Sequence, residues 1–556
     1  IILAKLWSLL PLPGMDFTMK VNLLSGVFAA LASGVLYLII NRLIDRGEPI
    51  KFWGIKNSIA LSVAPTSSFS HSLWYQATYA EVYSLHTLFV ALIIYFLISF
   101  FETPADVSGA LTSRQKKIIL ILAMIYGASF ANHPMTIGLL PFFVWFLWKQ
   151  KRSVKTDKKF WFAAAAAFLL SGFIPYLYIP YRAAQMPYIN WGNPQTLGNF
   201  IDHILARNWT GEAGNFVFLN QKFFGNIRSW ITLTYYQFFI IGSALLIFGL
   251  GGWPAGVAGR VIKKALLMIA GSAIFFGIVY ATGEYESWLI PAHLVAAIFL
   301  GWGFYRSYEW FKTKNRLPLP ILLMITVALA IFLPLFNIKN NWLPMDRSEL
   351  YTPDDAARNI LANIEDGSIL IFQTGSVSAV HYEQVIAGNK PNVIALHNSL
   401  WAPWMRENLE RYRSRGLYIP SMTINPEKLR DLKARDPFAQ KYIADFVRGN
   451  VEKFNIYFLM PEDIEGIKFI PWGFVYKASL KDEPADPANW KFSFRTSRFC
   501  SLALPTPPNW SWKKCVESNM EIDNGRGFIE PKDAQKQAYD QFEEVRAGYA
   551  ASYKNL

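Results

Sequence analysis

Ser84–Phe101 reads SLHTLFVALIIYFLISFF, a run without Lys, Arg, Asp or Glu. A helix needs about 20 mainly apolar residues to cross the hydrocarbon core of a bilayer, so this stretch reads as a membrane span. The turn that feeds it, Tyr79–Tyr83 (YAEVY), holds Glu81 and no cation. Working outward, nine further apolar stretches fill the first 340 residues: 19–40, 58–76, 117–132, 134–148, 160–181, 229–250, 265–282, 287–305 and 318–338. The turns between them alternate in charge. Arg42–Lys56, Arg114–Lys117, Lys149–Lys159, Arg260–Lys264 and Arg306–Arg316 carry 20 Lys and Arg together. The turns at Tyr79–Tyr83, Asn132–Pro134 and Gly283–Glu286 carry none. Positive loops stay cytoplasmic, which places the cation-free turns outside. Those outer turns hold Glu81, Tyr83, His86, Asn132, His133, Glu284 and Glu286. Ionisable groups near membrane depth are costly, and their default reading is functional.

The polar motifs also break helices. Pro134 cannot continue a helical ladder, so 117–132 and 134–148, both short for a span, form a tight pair broken at Asn132-His133-Pro134. Pro65-Thr66-Ser67-Ser68 and His71 interrupt 58–76 in the same way. Broken backbone at membrane depth survives only when buried in protein or facing a water-filled cavity. A cavity at the outer end of the bundle is therefore expected. The long outer loop Arg182–Arg228 contains Leu197, Phe200, Ile201, Ile204 and Leu205 at helical spacing, with Asn199, Asp202, His203 and Arg207 opposite. That pattern fits an amphipathic helix on the membrane surface, or one packed under a neighbouring domain.

From about Asn340 the texture changes. Thr352-Pro353 reads as a helix start, Ser368–Phe372 (SILIF) as a buried strand, 376–388 as a helix and Asn392–Leu396 as a second strand. These make a βαβ unit. A third strand is expected at Asn455–Met460, and helices at 404–415, 436–448 and 531–553. The fold class is thus a polytopic α-helical membrane domain over 1–339, with about ten spans, and an extracytoplasmic α/β domain over 340–556.

Composition is consistent with this division. The chain has 556 residues, enough for two domains, and is 53% hydrophobic. Its net charge of +14 sits largely in the cytoplasmic turns, where anionic headgroups attract it, so nucleic acid is not the partner. Twenty Trp and 26 Tyr suit two interfacial belts. The only cysteines, Cys500 and Cys515, lie in the part read as extracytoplasmic, where a disulfide is permitted. The chain starts at Ile1 with no signal peptide. Ile1–Leu10 is apolar but too short to span, so a preceding spanning helix is expected upstream.

Resemblance becomes specific at Trp74-Tyr-Gln-Ala-Thr-Tyr-Ala-Glu81-Val-Tyr-Ser-Leu-His86. This run resembles the W-x-Q-A-x-x-A-E-V-Y-x-L-H signature of a bacterial and eukaryotic membrane family long described only as a domain of unknown function. Its vertebrate member is a protein O-mannosyltransferase of the endoplasmic reticulum. Val21–Ala29 (VNLLSGVFA), Asn132-His133 with Thr136, Tyr188–Pro194 (YINWGNP) and Glu286–His293 (ESWLIPAH) resemble it too, in order. The resemblance implies a GT-C type glycosyltransferase fold, an active site facing the periplasm or lumen, and a polyprenyl-phosphate sugar as donor. In the family, an acidic Asp-x-Gly-Glu motif precedes the part that matches Ile1. The main catalytic carboxylate is therefore expected upstream of this chain.

The residues themselves fit such chemistry. Glycosyl transfer needs a carboxylate to take the acceptor proton and donors or cations on the departing phosphate. Glu81, His86 and Glu286 are the catalytic candidates. His86 lies about one turn beyond Glu81, so both are expected to face one cavity; the structural alternative is a buried brace. Arg182, Arg207, Asn132 and His133 are the phosphate-binding candidates, since a guanidinium clamps phosphate bidentately. For the arginines the alternative is snorkelling to headgroups; for His133 it is satisfying broken-helix carbonyls. Trp191 offers a sugar an aromatic face, and Asn190 and Tyr83 are further candidates for sugar or acceptor contacts. Glu284 reads as solvated. No metal is indicated, because a divalent site wants several oxygen ligands together, and no cofactor is expected. Thr374-Gly375-Ser376 enters a helix and offers a weak anion site. The reading is a glycosyltransferase of the bacterial inner membrane, with its C-terminal domain in the periplasm. It takes a lipid-linked sugar, mannose being indicated by the vertebrate relative, to a protein or glycan hydroxyl. The alternatives are a non-catalytic assembly or binding protein on the same scaffold, and a transporter or flippase. The latter would show inverted halves, and none are evident.

Overall fold

The computed structural model describes residues 2–46, 53–104, 106, 110–205, 219–254, 256–280, 285–314, 316–346, 352–372, 376–422, 432–484 and 491. They fall into two compact units. The first holds Ile1–Tyr178 and Ala213–Asp346, the second Ile179–Glu212 and Arg347–Asn524. The outer-loop residues 179–212 thus group with the sheet.

The first unit is helical. Among the described residues six helices are long and apolar enough to cross a membrane: Phe17–Ile44, Tyr83–Glu102, Lys158–Ala183, Gln221–Gly251, Val257–Val279 and Leu319–Trp342. The protein is an integral membrane protein. The other four expected spans are helical in different ways. Residues 58–76 split into Trp53–Ser68 and His71–Ala77, and Pro134–Leu139 is a 3-10 turn leading into Leu140–Lys149. Ser113–Asn132 opens with Arg114, Lys116 and Lys117 behind a Thr112–Gln115 capping box, which lowers its hydropathy. Ile290–Thr313 is buried along most of its length. A helix enclosed by protein needs no lipid-facing apolar surface, and this one carries Trp302, Tyr305, Arg306 and Tyr308.

Close packing at glycine sets the helix spacing. A Cβ built on Gly303 would lie 1.8 Å from the Leu245 carbonyl oxygen, and one on Gly249 would lie 1.9 Å from that of Phe299. Small residues let membrane helices approach backbone to backbone, and here they join Gln221–Gly251 to Ile290–Thr313. A three-helix staple lies nearby. Gln221–Gly251 is broken at Phe239 (φ 52°, ψ −167°), and the buried Asn337 amide donates to Gln237 O at 3.0 Å and Thr66 O at 2.7 Å.

The two ends of this bundle differ in chemistry. At one end Glu102 accepts from Arg42 at 2.7 Å and Arg46 at 2.8 Å. Lys116 pairs with Asp157 there, and Lys263 donates to Leu250 O. The opposite end gathers the cation-poor turns, with Asn22 Oδ1 accepting from Ala80 N at 2.8 Å.

The second unit is built on a five-stranded sheet. Its strands are β1 (Ile369–Phe372), β2 (Ile394–His397), β3 (Ile456–Phe458), β4 (Lys468–Trp472) and β5 (Val475–Ser479), in the order β2-β1-β3-β5-β4. β1 pairs in parallel with β2 and β3, with Ile369 opposite Ile394 and Ile456. The parallel strands are buried on both faces, which explains their unbroken apolar runs. Ile371, Leu396 and Phe458 share a core with Leu409 and Phe446. Leu370, Phe372 and Tyr457 share another with Ile360, Leu361 and Val380. The hairpin β4–β5 adds antiparallel pairing around Gly473 (φ 64°). Pro471 is tolerated because β4 is an edge strand. The helix expected at 531–553 lies outside the described residues.

Gly303→Ala should lower the thermal unfolding midpoint in detergent, with an overpacking cost of about 1–3 kcal/mol. Gly34→Ala, whose added Cβ meets nothing within 4 Å, should leave it unchanged. Equal midpoints for both variants would contradict the glycine contact.

Candidate functional site

At the cation-poor end the helices stop short and side chains meet the freed backbone. Asn132 ends its helix and its amide donates to Val82 O at 3.0 Å, across to the turn that carries Glu81. His133 then swings to extended backbone, and its Nδ1 accepts from Met135 N at 3.1 Å, capping the 3-10 turn. In the neutral tautomer this leaves the proton on Nε2. The Tyr83 ring sits 5.7 Å from the His133 ring and Trp288 lies 6.5 Å on its other side. Tyr83, Leu73, Met135 and Ile290 form the apolar floor.

Thr136 ties this floor to the next layer. Its hydroxyl donates to Ser129 O at 3.1 Å, so the 3.4 Å contact with His86 Nδ1 is one in which the ring donates. His86 is buried whereas Glu81 is exposed. The two therefore occupy different environments, one inside the bundle and one at its rim, rather than a single cavity.

Sequence reasoning left Gln237 unmentioned and gave no role to Gln76, Ser84 and Ser287, although these three lie in the family-like stretches. Gln237 accepts from Ser72 N at 3.1 Å and donates to Ser72 Oγ at 2.9 Å. Gln76 donates to Ser287 Oγ at 3.2 Å, and Ser84 donates to Gln76 O at 2.8 Å. His71 and His293 are buried nearby. The available signal was a polar side chain inside an apolar run.

The other candidates lie in the second unit or outside the described residues. Arg182 is exposed and donates to Gln185 Oε1. Asn190 is buried, with its amide given to Asn193 Oδ1 at 2.8 Å, so it builds the loop. Trp191 is half-buried, packed on His397 and Trp404. Leu197–Ile204 is a helix capped by Thr196, with Phe200 buried and Leu197 exposed. Glu284, Arg207, Cys500, Cys515 and the Thr374-Gly375 turn lie outside the described residues, as do the side chains of Glu286 and Ser376. Among the described residues, no three His, Cys, Asp or Glu side chains converge as a metal site would require.

Residues 1–156 match the family described as the protein O-mannosyl-transferase TMEM260 N-terminal domain. The protein O-mannosyl-transferase TMEM260 of Mus musculus is 22% identical over 436 residues, covering 73% of this chain and 57% of the relative. Its Dictyostelium discoideum counterpart is 25% identical over 267 residues, covering 46% of this chain and 30% of the relative. The chain thus spans little more than half the length of the first of these TMEM260 proteins and under a third of the second. Among solved structures, ArnT from Cupriavidus metallidurans bound to undecaprenyl phosphate aligns over 73% of this chain and 82% of its own. The TM-score is 0.39 and the identity 9%, a level at which the two folds are not equated.

The cap separates two roles for His133. His133→Asn keeps an acceptor for the Met135 amide, whereas His133→Ala removes it, a loss of about 1 kcal/mol. If His133 also donates to a bound phosphate, Asn should restore the unfolding midpoint but not transfer activity. Full restoration of both would assign the residue to the cap alone.

Proposed function

We propose that the protein is a membrane glycosyltransferase that moves a sugar from a polyprenyl-phosphate donor to a protein or glycan hydroxyl on the non-cytoplasmic face. The single observation carrying this reading is the cluster of helix breaks at the cation-poor end. There Asn132, His133 and Thr136 converge with the turn that carries Glu81. The names of the TMEM260 relatives make mannose the first sugar to try.

In such a reaction the acceptor oxygen attacks the anomeric carbon, the bond from that carbon to the phosphate oxygen breaks, and the acceptor proton passes to a carboxylate. Glu81, exposed at the rim, is the carboxylate this chain offers for orienting the acceptor. Asn132, which meets the carbonyl of the neighbouring Val82, and His133 Nε2–H are the donors for the departing phosphate, whose developing charge they stabilise. Arg182, which belongs to the second unit, is a further phosphate candidate offered by the sequence. The residues require no cofactor for this step. The membrane is that of a bacterial cell, with the sheet unit in the periplasm.

The test is transfer of labelled mannose from polyprenyl-phosphate mannose to endogenous acceptors in membranes containing the protein. Glu81→Gln and Arg182→Ala should each lower the rate by about 100-fold or more while leaving the amount of folded protein unchanged. Full activity in both variants would sink the site assignment. No transfer with any polyprenyl-phosphate sugar would favour the non-catalytic scaffold.

A further inference from the structure

Within the sheet unit, the loop after Arg182 closes a recess that the transfer chemistry does not use. Its backbone is fastened in several places. Arg411 donates to Pro187 O at 3.2 Å and Tyr188 O at 3.3 Å, Asn408 donates to Asn190 O at 3.1 Å, and Tyr188 OH donates to Gln384 Oε1 at 2.7 Å. Gly192 (φ 69°) and the non-glycine Asn193 (φ 38°) turn the chain through the left-handed region. A side chain there is uncommon and persists only when its surroundings enforce it. The result is that Trp191 stands half-buried at the tip while Asn190, Gly192, Asn193 and Pro194 are buried.

Trp191 meets Trp404 at 5.3 Å between ring centroids, inclined at 45°, and His397 at 5.3 Å edge to face. His397 ends β2, and ligands of open α/β sheets gather beyond the carboxyl ends of parallel strands. His381 lines the same recess and gives its Nε2 proton to Ala395 O at 3.2 Å, with burial holding the ring below its ordinary basicity. The walls are aromatic and aliphatic side chains, with His381, His397, Asn408 and Arg411 among the polar groups. The Arg411 Nε–H is buried with no acceptor among the described residues, and an unmet buried donor is costly. The enclosed space is about 50 Å³, room for one or two waters or a hydroxymethyl group but not for a sugar ring.

We propose that this recess is a carbohydrate subsite. The apolar C–H face of a neutral pyranose lies on Trp191 and Trp404. Its exocyclic hydroxymethyl group enters the enclosed space, and the hydroxyl oxygen accepts from Arg411 Nε–H. A loop held rigid beforehand lowers the ordering cost of binding. The inference deepens the glycosyltransferase reading and rests on it for the class of ligand.

The experiment is calorimetric titration of the detergent-solubilised protein with methyl α-mannoside and with methyl α-lyxoside, the same ring without its hydroxymethyl group. Saturable mannoside binding is expected, weaker by about tenfold in Trp191→Ala and in Trp404→Ala and largely kept in Trp191→Phe. The lyxoside should bind at least several-fold more weakly than the mannoside. Absence of saturable mannoside binding, equal affinity for the two sugars, or undiminished binding in both alanine variants would overturn the proposal. Two variants guard against one that misfolds the loop. Competition by a mannosyl-threonine peptide or by polyprenyl-phosphate mannose separates an acceptor glycan from a donor sugar as the natural source. Sugar binding without transfer would defeat the enzymatic reading alone; transfer without sugar binding would defeat this one alone.

Discussion

A backbone amide or carbonyl inside a bilayer has no water to turn to, and the first unit is organised around that constraint. Its helices break beside Ser70, at Asn132-His133 and at Phe239. At each break a polar side chain meets backbone groups near the break. Asn337 bridges two broken helices, Asn132 reaches Val82 O, His133 caps its own turn and Gln237 meets Ser72 N. The breaks in turn gather polar side chains around the apolar floor beneath the cation-poor turns.

The division of labour along the chain follows from the same physics. At the basic end charges are paired, with Glu102 between Arg42 and Arg46. At the other end, apart from Glu81 at the rim, the polar groups are amides, hydroxyls and imidazoles. They carry hydrogen bonds into a low-dielectric interior without the desolvation cost of an ion. That is a suitable lining for a site where charge is to develop on a lipid phosphate.

Periodicity and turn charge made much of the architecture legible: the apolar runs, the cation-poor end, and β1, β2 and β3 with the helix between the first two. The β4–β5 hairpin was not, because Pro471 and Gly473 read as loop signals and the strand that tolerates Pro471 is an edge known only from the sheet. The central helix Ile290–Thr313 was read as an ordinary span, since nothing in a single sequence says that a helix is enclosed. At the site, the family-like motifs brought Asn132, His133 and Thr136 to attention. The side chains that staple the breaks, Gln237 and Asn337, lie in runs without any motif. Glu81 and His86 are close in sequence, yet the turn leaves one exposed and the other buried, a split that spacing alone does not reveal. Trp191 was legible as an aromatic loop residue; its partners Trp404 and His397 come from more than 200 residues away and were not.

The placement of the helix breaks on the non-cytoplasmic side is tested most directly by labelling. With Cys500 and Cys515 replaced by Ser, single cysteines at Ala80, beside Glu81, and at Lys155, in a basic turn, would be exposed to a membrane-impermeant maleimide in intact cells. The expected result is labelling of the Ala80→Cys protein from outside and of the Lys155→Cys protein only after permeabilisation. The reverse pattern would put the helix breaks on the cytoplasmic face and contradict the proposed orientation of the site.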